Sequence, residues 1–287
     1  MLAAYRRFST SSNKDLTKVS TRDSAKDLTK VRSNSMAESQ HAENTQIEPG
    51  HHGNLTTEEN RKLQEAWVHL LRLCGAEGSK NHAAPDMSSA LEAGLNAESL
   101  ASFRRAVWDG VLGDHPDVLV LRFLRARKWD VEKAMEMLVS MMHWRHERKI
   151  DEEIVAKGDS VALSENKSKD DKELMEQFHS GKAYFRGTDK SGRPVFVIRV
   201  QLHELNTQSN EVMEAFVLHN IETIRMTMRH PTEKACLIFD LTGFGLKNMD
   251  FHVVKFLAHT FEARYPECLG VVLVHNAPFV FWGASCL

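Results

Sequence analysis

What this chain has little of narrows its chemistry. Four cysteines occur in 287 residues (Cys74, Cys236, Cys268 and Cys286), and no two stand as C-x-x-C. Neither a disulfide framework nor a cysteine zinc site is indicated, and a reducing compartment fits best. No apolar run reaches the ~18 residues that cross a bilayer, so membrane contact is expected to be peripheral. A G-x-x-x-x-G-K-[ST] phosphate loop is missing, and Gly243-Phe244-Gly245 lacks a third glycine at the dinucleotide spacing. Without G-x-S-x-G, an α/β-hydrolase has no nucleophile. The 15 histidines show no H-E-x-x-H or similar spacing, so no metal centre is expected. A net charge of −2 lacks the basic excess of a nucleic-acid-binding domain. No catalytic residue, cofactor or nucleic-acid partner is therefore expected. Asp240 sits at a strand end, where α/β enzymes keep catalytic groups, but capping the turn Leu241-Thr242-Gly243 is its simpler role.

What is present organises the chain. At 42% hydrophobic residues it can bury a sizeable core. Residues 1–53 are poor in large apolar side chains and are expected to be a disordered tail. Asp15-Leu16-Thr17-Lys18-Val19 recurs as Asp27-Leu28-Thr29-Lys30-Val31, and two such copies bury nothing. Residues 1–12 are basic, hydroxyl-rich and free of acids, like a mitochondrial presequence, although Asp15, Asp23 and Asp27 soon interrupt that pattern.

Residues 54–150 read as a helical subdomain. Thr56 and Glu59 have capping-box spacing, and Leu63, Ala66, Trp67, Leu70, Leu71 and Cys74 then form one stripe. Residues 76–94 read as a flexible insertion, with helices following near 97–107, 116–128 and 131–149. The lysine- and acid-rich stretch in 151–177 reads as a linker.

From 178 to 287 the pattern is α/β. Two strands around Asp189-Lys190-Ser191-Gly192 predict a hairpin, and a helix spans about 209–229. Runs at 236–240 and 270–275 are nearly continuously apolar, as in parallel strands buried on both faces.

The stretch Leu121-Arg122-Phe123-Leu124-Arg125-Ala126-Arg127-Lys128-Trp129-Asp130-Val131 crowds four cations on one helix end, where they offset the helix dipole or serve a phosphate. This string resembles the N-terminal part of the CRAL-TRIO lipid-transfer family, of the phosphatidylinositol transfer protein type. The motifs at 189–195 (Asp189 to Val195), Phe239-Asp240-Leu241-Thr242-Gly243, Tyr265-Pro266-Glu267 and Asn276-Ala277-Pro278-Phe279 follow in family order.

The resemblance implies an α/β fold with an N-terminal helical subdomain and a CRAL-TRIO lipid-binding domain. It also implies a role without bond chemistry: binding phosphatidylinositol or another hydrophobic lipid and moving it between membranes. Arg127, Lys128 and Glu267 are the headgroup residues it implies. A lipid-sensing or squalene- or sterol-binding module without transfer activity is the alternative. The expected place is the cytoplasm, in transient contact with endoplasmic reticulum or lipid-droplet surfaces. Departures from the family pattern are Cys268 where an arginine is usual, and Ala235 and Leu237 where phosphatidylcholine binding uses hydroxyls. The stretch from Gly283 on does not resemble the family, whose last third is expected to be absent, leaving the lipid-binding domain incomplete.

Overall fold

Thr56 opens α1 (Thr57–Leu73) as its spacing predicts. Its hydroxyl accepts from the Glu59 amide at 3.2 Å, and the Glu59 carboxylate accepts from the Thr56 amide at 2.8 Å. Two donors of the first turn are thereby satisfied. Leu63, Ala66 and Leu70 of α1 face α2 (Pro116–Ala126) and α3 (Val131–Glu147). Together with Phe123, Leu124, Met135, Leu138 and Met142 they make one core. Asp130 caps α3 through the Lys133 amide at 3.1 Å. The computed structural model describes residues 47–74, 105–108, 110–111, 115–158, 160–164, 167–205 and 207–277. The presequence-like start, the short duplication, the insertion at 76–94 and the C-terminal stretch fall outside them.

Two boundaries differ from those the sequence suggests. Residues 47–53 are packed: the Gly50 carbonyl accepts from Arg125 at 2.9 Å, and Glu48 pairs with Lys234 at 2.6 Å. Backbone groups in this segment find partners that composition alone does not reveal. The stretch expected to be a linker is substantially helical. It holds a π-helical turn (Ile150–Ala156), α4 (Ser160–Leu163) and α5 (Lys169–His179). Ser168 and Asp171 cap α5 reciprocally at 3.0 and 3.1 Å. Leu174 and Phe178 carry it onto the second core, with the Phe178 ring 5.4 Å from that of Phe216. Sparse apolar residues on one helix face suffice to dock an otherwise charged helix.

The sheet has order β1-β2-β3-β4. The predicted hairpin pairs β1 (Ala183–Thr188) antiparallel with β2 (Pro194–Arg199), and Asp189 accepts from the amides of Ser191 and Arg193 at 2.8 and 2.9 Å. Next come β3 (Ala235–Asp240) and β4 (Leu269–His275), each parallel to its neighbour. α6 (Asn210–Thr227) packs Phe216, Ile221 and Ile224 over Phe196 and Leu237. α7 (Phe251–Ala263) connects β3 to β4.

β4 departs from expectation. Val272, Leu273 and Val274 are about half exposed, although the run reads as doubly buried. Among the described residues β4 is the outer strand, with a partner on one side only. Leu246, Phe251 and Val254, between β3 and β4, are also exposed.

Candidate functional site

The cationic string forms the joint between α2 and α3. Arg127 caps α2, its amide reaching the carbonyls of Phe123 and Leu124 at 3.0 and 3.3 Å. Lys128 and Trp129 then take left-handed conformations, with φ of 52° and 65°. That backbone costs a non-glycine residue about 1–2 kcal/mol. It bends the chain so that the Trp129 amide meets the Leu124 carbonyl at 2.7 Å and Asp130 is placed to cap α3. Arg127 is half-buried, with Nη1 3.3 Å from the Ala126 carbonyl. Lys128 is exposed at the lip of a cleft of about 380 Å³, which it lines with Lys62, Glu65, His69, Trp129 and Glu132.

Glu267 lies in the turn between α7 and β4, half-buried and also left-handed at φ 57°. Arg122 holds this turn. Its Nη1 donates to the Glu267 carbonyl at 2.8 Å and lies 3.5 Å from Cys268 Sγ, while Nη2 lies 3.7 Å from Met228 Sδ. An arginine at position 268 would press a second cation onto buried Arg122, and the thiol avoids that repulsion. Arg125 lies in the field of Glu267 but is committed elsewhere, to the Glu233 carboxylate at 2.9 Å and the Gly50 carbonyl. Burial lowers the guanidinium's pKa, and Glu233 partly offsets this.

The four crowded cations therefore divide by role. Arg122 and Arg125 are structural. Arg127 and Lys128 have no carboxylate partner among the described residues. No hydrogen bond or ion pair joins either of them to Glu267, which stands in the separate turn before β4.

Beneath the Glu267 turn is a buried ionic hub. Glu222 Oε1 accepts from the Tyr265 hydroxyl at 2.5 Å and from Arg145 Nη1 at 2.6 Å, and Oε2 accepts from Arg225 at 2.9 Å. Arg145, fully buried, also pairs with Asp151. Burial opposes ionisation of Glu222, but Arg225 and Arg145 outweigh it and hold the carboxyl below its ordinary value. Burial likewise opposes the charge on Arg145, and Glu222, Tyr265 and Asp151 more than offset it. Burial pushes the Tyr265 hydroxyl up, and Glu222 adds to the rise. The hub joins α3, α6 and the Tyr265-Pro266-Glu267 turn.

The start of α7 is fixed by a second polar chain. His203 Nε2 meets Asp250 Oδ2 at 3.0 Å, and Lys182 Nζ meets His203 Nδ1 at 3.3 Å. Burial pulls Lys182 down to about 8. Asp240 is spent on its turn, accepting from the Thr242 amide and hydroxyl at 3.0 and 2.6 Å.

Comparison with known proteins decides the family. A CRAL/TRIO domain profile matches residues 178–286 and a CRAL/TRIO N-terminal domain profile matches 87–140, together more than half of the chain. The chain belongs to the CRAL-TRIO family. The helical subdomain and four-stranded sheet are its α/β fold, and the match carries the likeness past Gly283, where it was expected to stop. A CRAL-TRIO domain-containing protein of Schizosaccharomyces pombe is 43% identical over 63% of this chain and 39% of its own length. Phosphatidylinositol transfer protein CSR1 of Eremothecium gossypii is 40% identical over 63% of this chain and 41% of its own length. SEC14 cytosolic factor of Yarrowia lipolytica is 31% identical over 58% of this chain and 34% of its own length. The chain thus spans about two fifths of these relatives.

Arg122, Glu222 and Arg145 are the members whose part in the site the sequence did not reveal. Arg122 was legible as a cation on a helix but not as one on its buried face. Glu222 and Arg145 each have a near neighbour of opposite charge, Arg225 and Asp151, but nothing local shows that they are buried or that they meet each other across 77 residues.

Proposed function

We propose that this CRAL-TRIO chain binds a phospholipid, foremost phosphatidylinositol, and carries it between membranes. The acyl chains would leave the bilayer for the apolar surface around β4 and the start of α7. The lipid phosphate would meet Arg127 and Lys128, and Glu267 would accept from headgroup hydroxyls. Arginine offers a planar fork suited to phosphate, and lysine a mobile point charge.

One observation carries this reading. Lys128 and Glu267 both hold strained left-handed backbones, Lys128 in the joint that follows α2 and Glu267 in the turn whose carbonyl Arg122 of α2 holds at 2.8 Å. Such strain is retained where surrounding structure enforces it, commonly at binding sites. The absence of carboxylate partners on Arg127 and Lys128 among the described residues leaves their charge for an anionic ligand. The likeness to a phosphatidylinositol transfer protein supports the same lipid.

Transfer requires no bond chemistry, and we assign no enzymatic role. None of the described helices is long and apolar enough to cross a membrane, and the contact we propose is peripheral, from the cytoplasm. Endoplasmic reticulum and lipid droplets are the surfaces proposed, and a mitochondrial address in residues 1–12 would redirect the chain.

A second reading is a sterol- or squalene-binding regulatory module without transfer. It is favoured by Ala235 and Leu237, both buried in the core and offering no hydroxyl to a lipid phosphate. Native mass spectrometry of the purified chain with identification of extracted lipid separates the two. Bound phosphatidylinositol supports the first reading, and bound sterol or squalene the second. A folded chain that never retains lipid refutes both.

A further inference from the structure

Three side chains far apart in sequence converge where the 47–54 segment crosses the start of α2. His52 Nδ1 is 3.8 Å from Asp117 Oδ2, and His115 Nδ1 is 3.6 Å from the same oxygen. One donor atom from each residue lies within 4.8 Å of the other two. We propose that His52, His115 and Asp117 form a binding site for a borderline divalent cation of the zinc class. The ion would clasp the 47–54 segment to the helical subdomain.

The donor set suits that class. Two imidazoles and one carboxylate are ligands of zinc and its neighbours, whereas calcium and magnesium favour all-oxygen sites. A tetrahedral zinc with ligand bonds of about 2.0–2.2 Å sets its ligand atoms roughly 3.3–3.6 Å apart. The two carboxylate–imidazole separations are close to that, and rotation of the rings would complete the site.

The surroundings hold the carboxylate ready. The Trp67 indole N–H donates to Asp117 Oδ1 at 2.6 Å, which fixes the carboxylate and leaves Oδ2 toward the imidazoles. Orienting a ligand oxygen through a hydrogen bond to its twin is how outer partners tune metal sites. The His52 and His115 rings stack at 4.0 Å with planes 22° apart, so they must splay for one ion to lie in both planes. His52 is half-buried and His115 exposed, which gives both rings room to turn. His115 Nδ1 accepts from the Asp117 amide at 3.3 Å, a long bond that an ion at that nitrogen would replace. His230 presents its edge to His52 at 6.0 Å between ring centroids, beyond direct ligation in this arrangement. Water would complete the coordination.

The backbone that carries His52 is held by contacts of its own. Arg125 grips the Gly50 carbonyl, and the His52 amide lies 3.4 Å from the Glu233 carboxylate, so the segment carrying His52 is already docked. Binding there pays little ordering cost, and the ion would add a fastening between residues 63 positions apart in the chain. Sequence spacing could not reveal it, because the motifs that betray metal sites are local.

The test uses the untagged full-length chain in a metal-free buffer at a fixed pH of about 7.5. Zinc is titrated by calorimetry, and cobalt substitution is followed by its visible absorption. The expected result is one ion per chain, with affinity reduced tenfold or more in each of His52→Ala, His115→Asn and Asp117→Asn. Asparagine at position 115 keeps a good helix cap, so loss of binding is not loss of α2. His143→Ala, at an exposed histidine on α3, should bind as the parent does. Zinc should also raise the thermal midpoint of the parent but not of His115→Asn. Absence of binding, equal binding in all variants, or an equal thermal rise in His115→Asn overturns the proposal.

Discussion

Glu222→Gln is the sharpest single test of how the Glu267 turn is held. The change keeps volume and one hydrogen-bonding oxygen but removes the only charge that Arg145 and Arg225 share. Arg145 retains Asp151, and Arg225 retains the Gly110 carbonyl at 2.5 Å, so neither cation is wholly stranded. Breaking one partner out of a buried ion pair costs about 3–5 kcal/mol, and the surviving contacts place this case near 3. For a domain of this size each kcal/mol moves the midpoint by roughly 2–4 °C, so a fall of about 6–12 °C is expected. Urea unfolding should show the same loss with an unchanged slope.

The pH dependence follows from the carboxyl's lowered pKa. Its contribution is fully present above the ordinary value of 4.5 and is lost as pH falls through the lower folded value. The parent should therefore lose stability in that acid window, and Glu222→Gln should lose less there. Removing both charges with Arg145→Met and Glu222→Leu should cost less than the two single changes summed, because well-packed apolar groups replace a buried pair at little penalty. A loss below about 1 kcal/mol for Glu222→Gln would refute the claim that this hub fastens the turn.

Three further outcomes follow from the geometry. Lys128→Gly should relieve left-handed strain and leave stability unchanged or raised by up to about 1 kcal/mol, while lipid retention on anionic vesicles falls. A thermal scan beside a sedimentation assay checks both halves. Lys182, pulled from 10.5 to about 8, binds its proton more weakly folded than unfolded, so stability should rise as pH climbs from about 8 to 10.5. The full displacement corresponds to about 3 kcal/mol, and solvent screening reduces the expected gain to 1–2, absent in Lys182→Met. Thr56→Ala should cost about 1 kcal/mol through loss of the α1 cap and leave lipid binding untouched.

Much of this fold was legible because its determinants are local. The Thr56 capping box, the Asp130 cap, the hairpin turn at Asp189 and the apolar spacing of α6 each declare themselves within a few residues. The misjudged parts depend on distant partners. The end of the 151–177 stretch looks like a charged linker until α5 is seen to carry Phe178 against Phe216. The 47–53 segment looks like tail until Arg125 is seen on the Gly50 carbonyl. The run at 270–275 has the composition of a buried strand, and among the described residues it is half exposed at the outer place in the sheet, which composition does not encode. At the site, the cations of the α2–α3 joint were visible as a group. Their division into buried Arg122 and Arg125, and Arg127 and Lys128 without carboxylate partners, needed three-dimensional placement.

The most direct test of the central claim is a transfer assay. Labelled phosphatidylinositol in donor vesicles is followed into acceptors with the parent chain and with Arg127→Ala plus Lys128→Ala. Two charge-assisted contacts at about 1.5–3 kcal/mol each imply more than a tenfold loss of transfer, with the thermal midpoint nearly unchanged. Undiminished transfer by the double variant, or a loss matched by unfolding, would contradict a headgroup role for these two cations.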